Sequence, residues 1–367
     1  MIRLPEHIQS LKPYKPGKSI ESVQRELGLT ELIKLASNEN PFGPSPKALA
    51  RMAEHAAKLH YYPNSGLDLR NALAERLNCT ADNIVCAAGS ESVLMAAMKA
   101  MLEPGAEMVS SRGTFVGFQV LAHASACRTH YCDLTPDFRF DVEAIADAIT
   151  PATRLVYVAN PNNPSGTYLT AAEFEYLHSR VPDDVLLIMD EAYFEYSCAV
   201  VDDYPDSFRY RHDNVLTLRT FSKVYGLAGL RIGYGLGAPR VIEALHKVKL
   251  PFEPSTVAQS AALGAMDDDK FLQRTVTVNR EALEYFDREL KSIGLEAPRS
   301  VANFVLLDRG TPENVAALYH EMLIRGVITR PLTGFGLPHC LRISTGTAEE
   351  NARCMQVLKE AIGATTP

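Results

Sequence analysis

Lys223 ends an apolar, strand-like run, and the next fourteen positions of "TLRTFSKVYGLAGLRIGYGLG" carry five glycines and Arg231. A lysine at the end of a buried strand loses hydration, which disfavours its charged form and makes its amine more nucleophilic near neutral pH. A solvated lysine in a glycine-rich turn would look the same in isolation, so the neighbours decide. "AAGSES" sets Gly89 to Ser92 at a strand-to-helix junction, where free backbone N–H groups and the positive dipole end suit a phosphate, although serine can also be a plain N-cap. "NPNNPSG" fixes an irregular backbone from Asn160 to Gly166, more elaborate than a plain turn requires. "MDEAYFEY" closes a strand with Asp190 and places Tyr193 three residues on; the carboxylate could cap a helix or hold a proton on a ring nitrogen. "LRISTG" sets Arg342 between apolar residues, a place where a guanidinium needs an anionic partner. A phosphate cup, a carboxylate for a pyridine nitrogen and an imine-forming lysine together describe a pyridoxal phosphate site.

Gly89, Asn160, Asp190 and Lys223 each stand at or just past the end of a short apolar run. Those runs, such as "NIVCAAG", "ATRLVYVANP", "DVLLIMDEAYF" and "NVLTLRTFSK", alternate with helical spacing in "SESVLMAAMKAML" and "TAAEFEYLHSRV". Strands apolar on both faces that alternate with helices predict an α/β fold with a doubly wound, mostly parallel sheet, and such sheets bind ligands at the carboxyl ends of their strands. Residues 1–50, rich in proline and glycine, read as an arm together with part of a smaller domain. Residues 51–265 read as the large domain. Residues 266–367, opening on "DKFLQRTVTVNREALEYFDRELKSIG", read as a smaller α+β domain.

With 367 residues the chain is long enough for two packed units. A net charge of −7 argues against general nucleic-acid binding, which demands a basic face. No apolar run approaches the roughly 18 residues that cross a bilayer, and "MIRLPEHIQSLKPYKPGK" has charges where a signal peptide needs an apolar core. A cytoplasmic protein without membrane partners is the expectation. Seven cysteines without a CxxC pair and ten histidines without HExxH give no expectation of a metal site.

Through "LASNENPFGPSP", "YYPNSG", "ANPNNPSGT", "MDEAYFEY", "TFSKVYGLAGLRIGY" and "RPLTGFGLPHCLRISTGT" the sequence resembles, nearly end to end, the aspartate-aminotransferase-like fold type I enzymes, and within them the histidinol-phosphate aminotransferase family. The resemblance implies pyridoxal 5′-phosphate as cofactor. It implies transfer of an amino group between L-glutamate/2-oxoglutarate and imidazole-acetol phosphate/L-histidinol phosphate, a step of histidine biosynthesis. Lys223 then carries the cofactor and moves the proton at the substrate Cα. Asp190 pairs with the ring nitrogen, and Tyr193 and Asn160 hydrogen-bond the ring oxygen. Ser90, Glu91, Ser222 and Arg231 hold the cofactor phosphate, the first two partly through backbone N–H groups; Arg231 could instead serve as a core-edge ion-pair partner. Phe115 stacks on the ring. Tyr62, or its neighbour Tyr61, reaches the cofactor of the other subunit, which implies an obligate homodimer with shared active sites. Arg342 binds the α-carboxylate of glutamate and, with Arg330, the phosphate of the alternate substrate, while Tyr14 and Asn40 close over the substrate.

The family commonly has tyrosine at Phe115 and Asp-Glu at Glu91-Ser92, so stacking and the backbone of the cup survive both changes. Rival readings keep the cofactor and change the substrate, as an aromatic amino acid aminotransferase or a threonine-phosphate decarboxylase. A nicotinamide-dependent dehydrogenase needs GxGxxG after the first strand, whereas "GYGLGAPR" comes late and has Arg240 at the last glycine.

Overall fold

The computed structural model describes residues 2–365 apart from Lys12 and residues 14–16. The described residues form twelve strands: β1 (Ile33–Lys34), β2 (Ile84–Ala87), β3 (Glu107–Ser111), β4 (Arg128–Cys132), β5 (Thr153–Ala159), β6 (Leu186–Asp190), β7 (Val215–Thr220), β8 (Gly233–Leu236), β9 (Phe304–Asp308), β10 (Val327–Ile328), β11 (Arg330–Pro331) and β12 (Cys340–Ser344). Seven of them make one sheet in the order β2-β8-β7-β6-β5-β3-β4. The pairs from β7 through β4 are parallel, and β8 runs antiparallel to both of its neighbours.

Strands β6 and β7 are buried along their whole length, as a sheet covered on both faces requires. Leu187, Met189, Leu216 and Leu218 pack there with Val93 and Leu94 of the helix Ser90–Met101 and with Phe174 and Leu177 of the helix Ala171–Arg180. Each such side chain contributes roughly 1.5–3 kcal/mol on burial. The second helix begins in a capping box, with Thr170 and Glu173 satisfying each other's backbone N–H groups.

The antiparallel return of β8 pairs Gly233 with Thr220, so the two ends of the loop between them are adjacent. This brings Arg231 back beside Ser222 and Lys223. Gly233 permits a close approach to the first helix of the sheet: a Cβ there would lie 2.4 Å from the Ser90 nitrogen. Gly226 has φ +69°, and a Cβ would meet the Gly43 carbonyl oxygen at 2.0 Å, so both conformation and space call for glycine.

A smaller sheet, β11-β12-β9, is antiparallel and places Arg330 directly opposite Arg342. The helices Asp269–Ser292, Pro312–Ile324 and Ala348–Thr365 cover it through Phe286, Leu318 and Leu358. Strand β1 pairs in parallel with β10, which ties the early chain to this unit.

Candidate functional site

At the carboxyl ends of β5, β6 and β7 lies a cleft of about 150 Å³ whose walls include Asp190, Tyr193, Ser222, Lys223 and Arg231. Ser90, Glu91 and Phe115 line it from the opposite side. Asp190 is the buried end. Its Oδ2 accepts a hydrogen bond from the Tyr157 hydroxyl at 2.9 Å, while its Oδ1 is buried and has no hydrogen-bond partner among the described residues. Burial pushes this carboxyl up to about 6, against the pull of the Tyr157 hydroxyl and the Ala192 backbone N–H, with Glu91 and Glu191 adding to the rise. An unsatisfied, desolvated acceptor of this kind is matched by a cationic N–H donor.

At the other end of the cleft two positive features coincide. The helix Ser90–Met101 has Gly89 as N-cap and no side-chain cap, so the backbone N–H groups of its first turn point outward. The Arg231 guanidinium lies against Gly89, where a Cβ would be 3.1 Å from Nη2. Arg231 is exposed, donates only to the Ala228 carbonyl at 3.2 Å and makes no ion pair among the described residues, in contrast with the core-edge alternative. A cation beside a helix N-terminus is an anion site. Ser222 Oγ accepts from Thr220 Oγ1 at 3.0 Å, which leaves its own proton available. Glu91 is itself an anion, so what it can offer an anion is its backbone N–H.

Lys223 is half-buried, with Nζ 3.5 Å from the Ser37 carbonyl and 5.5 Å from the centre of the Tyr193 ring. The buried Tyr193 hydroxyl accepts from Asn38 Nδ2 at 2.8 Å. Among the described residues, Phe115 is the only aromatic side chain on the cleft wall besides Tyr193. The residues fit pyridoxal phosphate: an orphaned carboxylate oxygen for a ring nitrogen, an aromatic face, an anion cup and a lysine amine share one cleft.

Arg342 is buried and reaches the same region from the small unit. Its Nη2 donates to the Ala36 carbonyl at 2.8 Å, its Nη1 donates to Asn163 Oδ1, and its guanidinium stands 5.2 Å from the Phe304 ring. Arg330 faces a second, wider cavity of about 1260 Å³ that it shares with Arg112, Tyr319 and Phe335.

Asn160, Asn40 and Tyr62 also stand apart from the cleft. Asn160 is buried, with Oδ1 accepting from the Leu169 N–H at 2.8 Å and Nδ2 only 3.4 Å from the Leu169 carbonyl; it braces the turn whose Pro161 and Asn163 line the cleft. Asn40, expected over the substrate, is instead a clamp. Its Nδ2 donates to the Val224 carbonyl at 2.8 Å and its Oδ1 accepts from the Phe42 N–H at 2.9 Å, which engages both ends of the amide. Tyr62 is 81% exposed and stacks on Phe252, with Tyr61 similarly outside. Tyr14 lies outside the described residues. Sequence reasoning missed Tyr157, Asn38 and Asn163. None of the three gave a signal in the sequence, since an aromatic inside an apolar strand such as Thr153–Ala159 reads as core.

Asp308, His339 and Cys340 come within 4.8 Å of one another at the edge of the small sheet, a cluster absent from the sequence reading. The Asp308 carboxylate already accepts the Gly310 N–H, and burial pushes the Cys340 thiol up to about 12, away from the thiolate that a metal binds.

Residues 30–358 match the family "Aminotransferase class I and II". The chain belongs to this aminotransferase family. It is 40% identical over 362 residues to a histidinol-phosphate aminotransferase of Akkermansia muciniphila, covering 97% of this chain and 98% of that one. Among solved structures, histidinol-phosphate aminotransferase from Sinorhizobium meliloti in complex with pyridoxal-5′-phosphate superposes with a TM-score of 0.89 at 29% identity, over 100% of this chain and 99% of that one. Aspartate aminotransferase from Thermus thermophilus with maleate matches with a TM-score of 0.84 at 26% identity, over 98% and 100%. The fold is the aspartate-aminotransferase-like fold type I, and the seven-stranded sheet is its large-domain sheet.

Proposed function

We infer that this aminotransferase is a histidinol-phosphate aminotransferase, transferring an amino group between L-glutamate/2-oxoglutarate and imidazole-acetol phosphate/L-histidinol phosphate, with pyridoxal 5′-phosphate as cofactor. The observation that carries the cofactor is the buried Asp190 Oδ1, without a hydrogen-bond partner among the described residues, in the same cleft as Lys223 and Arg231. When bound, pyridoxal phosphate supplies an aldehyde carbon that takes the amino group and a ring that absorbs the electron pair left at the substrate Cα. Asp190 Oδ1 would accept the ring N–H and so favour the cationic ring that can take that electron pair. Arg231, Ser222 and the backbone N–H groups of Ser90 and Glu91 bind the phosphate, and Phe115 covers one ring face. Lys223 would be the residue that holds the cofactor, and its Nζ, once free, would be the base placed to move the proton at the substrate Cα.

Arg342 binds the α-carboxylate of glutamate and, with Arg330, the phosphate of the other substrate. Planar guanidinium groups suit both anions because each can be gripped in bidentate fashion. The exposed aromatic patch of Tyr61, Tyr62 and Phe252 supports a homodimer in which Tyr62 reaches the partner's cofactor phosphate. A biosynthetic step fed by glutamate fits a cytoplasmic enzyme.

The test mixes the yellow holoenzyme with L-histidinol phosphate and, separately, L-phenylalanine at matched concentrations and follows loss of the colour. A half-reaction far faster with the phosphorylated amine is expected. Comparable turnover of phenylalanine would move the protein to the aromatic aminotransferases.

A further inference from the structure

Three consecutive residues touch three different functional side chains. The Ala36 carbonyl accepts from Arg342 Nη2 at 2.8 Å, the Ser37 carbonyl faces Lys223 Nζ at 3.5 Å, and Asn38 Nδ2 donates to the Tyr193 hydroxyl at 2.8 Å. Asn38 is 1% exposed and sits at φ +55°, a conformation that asparagine tolerates better than most residues. Every polar atom it has is engaged. Its N–H donates to Ser344 Oγ at 2.9 Å, Ser344 Oγ–H donates back to its Oδ1 at 2.7 Å, and its carbonyl accepts from Asn303 Nδ2 at 3.1 Å.

This closed pair with Ser344 fixes the direction of the amide. Turned over, Nδ2 would face Ser344 Oγ, and the serine proton would lose its acceptor in a buried place, which is unfavourable. With Oδ1 held by Ser344, only the NH₂ end faces Tyr193. An NH₂ group can only donate, so the Tyr193 oxygen accepts, and the tyrosine's own proton must point elsewhere. The cleft is the open direction, since Tyr193 is one of its walls.

We propose that Asn38, locked by Ser344, is a positioning residue that fixes Tyr193 as a hydrogen-bond donor toward the ring oxygen of the cofactor. This rests on the reading of the cleft as a pyridoxal phosphate site. Ser344 lies on β12 two residues beyond Arg342, so the strand that carries the substrate arginine also sets the polarity of Tyr193. A donor at the ring oxygen draws charge from it, and the proton on the nitrogen that joins Lys223 to the cofactor is then released at lower pH. The groups that act on that proton from other directions are Asp190 and Tyr157 behind the cleft, Glu91 and Arg231 at its far end, and Arg342 behind Phe304, whose ring meets Tyr193 edge-on at 5.3 Å. None of these groups is substituted in the variants compared.

The experiment is a pH titration of the absorbance of the purified holoenzyme, which reports the bound cofactor without turnover. Tyr193→Phe is expected to raise the midpoint by about one pH unit, tenfold in the protonation equilibrium. Asn38→Asp replaces a donor with an acceptor that captures the tyrosine proton, so its midpoint should rise by a similar amount. In the Tyr193→Phe background, Asn38→Asp should add little, because the two act through one hydroxyl. Ser344→Ala, which frees the amide to turn, should raise the midpoint by a smaller amount and decides the matter if Asn38→Asp does not fold. The proposal is overturned if Asn38→Asp shifts the midpoint equally with and without the tyrosine hydroxyl, since its charge alone then acts. It is also overturned if Asn38→Asp and Ser344→Ala titrate as wild type while Tyr193→Phe moves, or if Tyr193→Phe itself does not move. A wild-type protein that takes up no pyridoxal phosphate would overturn the reading of the cleft, a result separable from all of these.

Discussion

Asp190 and its partner Tyr157 are 33 residues apart on adjacent parallel strands, whereas Arg342 reaches the Ala36 carbonyl across 306 residues. The first end of the site is made by the sheet alone: β5, β6 and β7 pair in register, and their carboxyl ends deliver Tyr157, Asp190 and Lys223 to one place. The second end exists only when the small sheet, the stretch at residues 36–38 and the Asn-Pro turn meet. On the proposed function, chemistry common to the family falls to the locally determined part of the fold. On the same reading, discrimination between substrates falls to the part assembled from remote pieces, where a change of register or docking would alter the grip without touching the reacting centre.

If that division is right, substitutions at the sheet end lower kcat and those at the assembled end act mainly on KM. The largest effect is expected for Lys223→Ala, with kcat down by about 10⁴-fold, the top of the range for a positioned proton carrier; single-turnover kinetics checks it. Asp190→Asn should reduce kcat by about 10²–10³-fold while stabilising the cofactor-free protein. A carboxyl raised from 3.8 to about 6 by burial weakens the fold by about 3 kcal/mol once ionised. Between those two values the native state binds the proton and the unfolded chain does not, so the Asp190 contribution makes stability fall as pH rises from about 4 to about 6 and stay level above. Thermal melts without cofactor should therefore show the Asn variant ahead of wild type at pH 8, with the gap closing toward pH 4. No gap at pH 8 would mean that the carboxylate is better solvated than its burial indicates.

Arg342→Ala is expected to lower kcat/KM about 10²-fold for both glutamate and the phosphorylated amine, since a lost charged hydrogen bond is worth about 1.5–3 kcal/mol. Arg330→Ala should affect the phosphorylated amine alone, about tenfold; equal losses with both substrates would blur the comparison between the two ends. The smallest effect is expected for Tyr62→Phe, a few-fold loss of phosphate-dependent affinity for the cofactor. Mixing it with Lys223→Ala subunits should give dimers in which one site has both defects and the other neither.

The sheet end was legible because strand ends in an alternating α/β pattern concentrate polar residues where ligands bind, so Asp190, Lys223 and Arg231 stood out against apolar runs. Tyr157 was hidden in such a run: an aromatic in a buried strand reads as core, and only the paired strand reveals the carboxylate beside it. Asn38 and Asn40 lie in one motif two residues apart, and sequence reasoning favoured Asn40 for the substrate. In the fold Asn40 holds the backbone beyond Lys223 and Asn38 backs the cleft wall at Tyr193, because the left-handed turn at Asn38 sends its amide toward that hydroxyl. Asn163 could not be assigned, since its partner Arg342 comes from another sheet. The arginines themselves were legible by type, and the cross-strand register that sets Arg330 opposite Arg342 was not.

The central claim, that this cleft holds pyridoxal phosphate on Lys223, is tested most directly by incubating the protein with the cofactor, reducing with borohydride and mapping the modified peptide by mass spectrometry. A single pyridoxyl-phosphate adduct on Lys223, lost in Lys223→Ala and weakened in Asp190→Asn, is the result predicted. Labelling spread over surface lysines, or no adduct on Lys223, would contradict it.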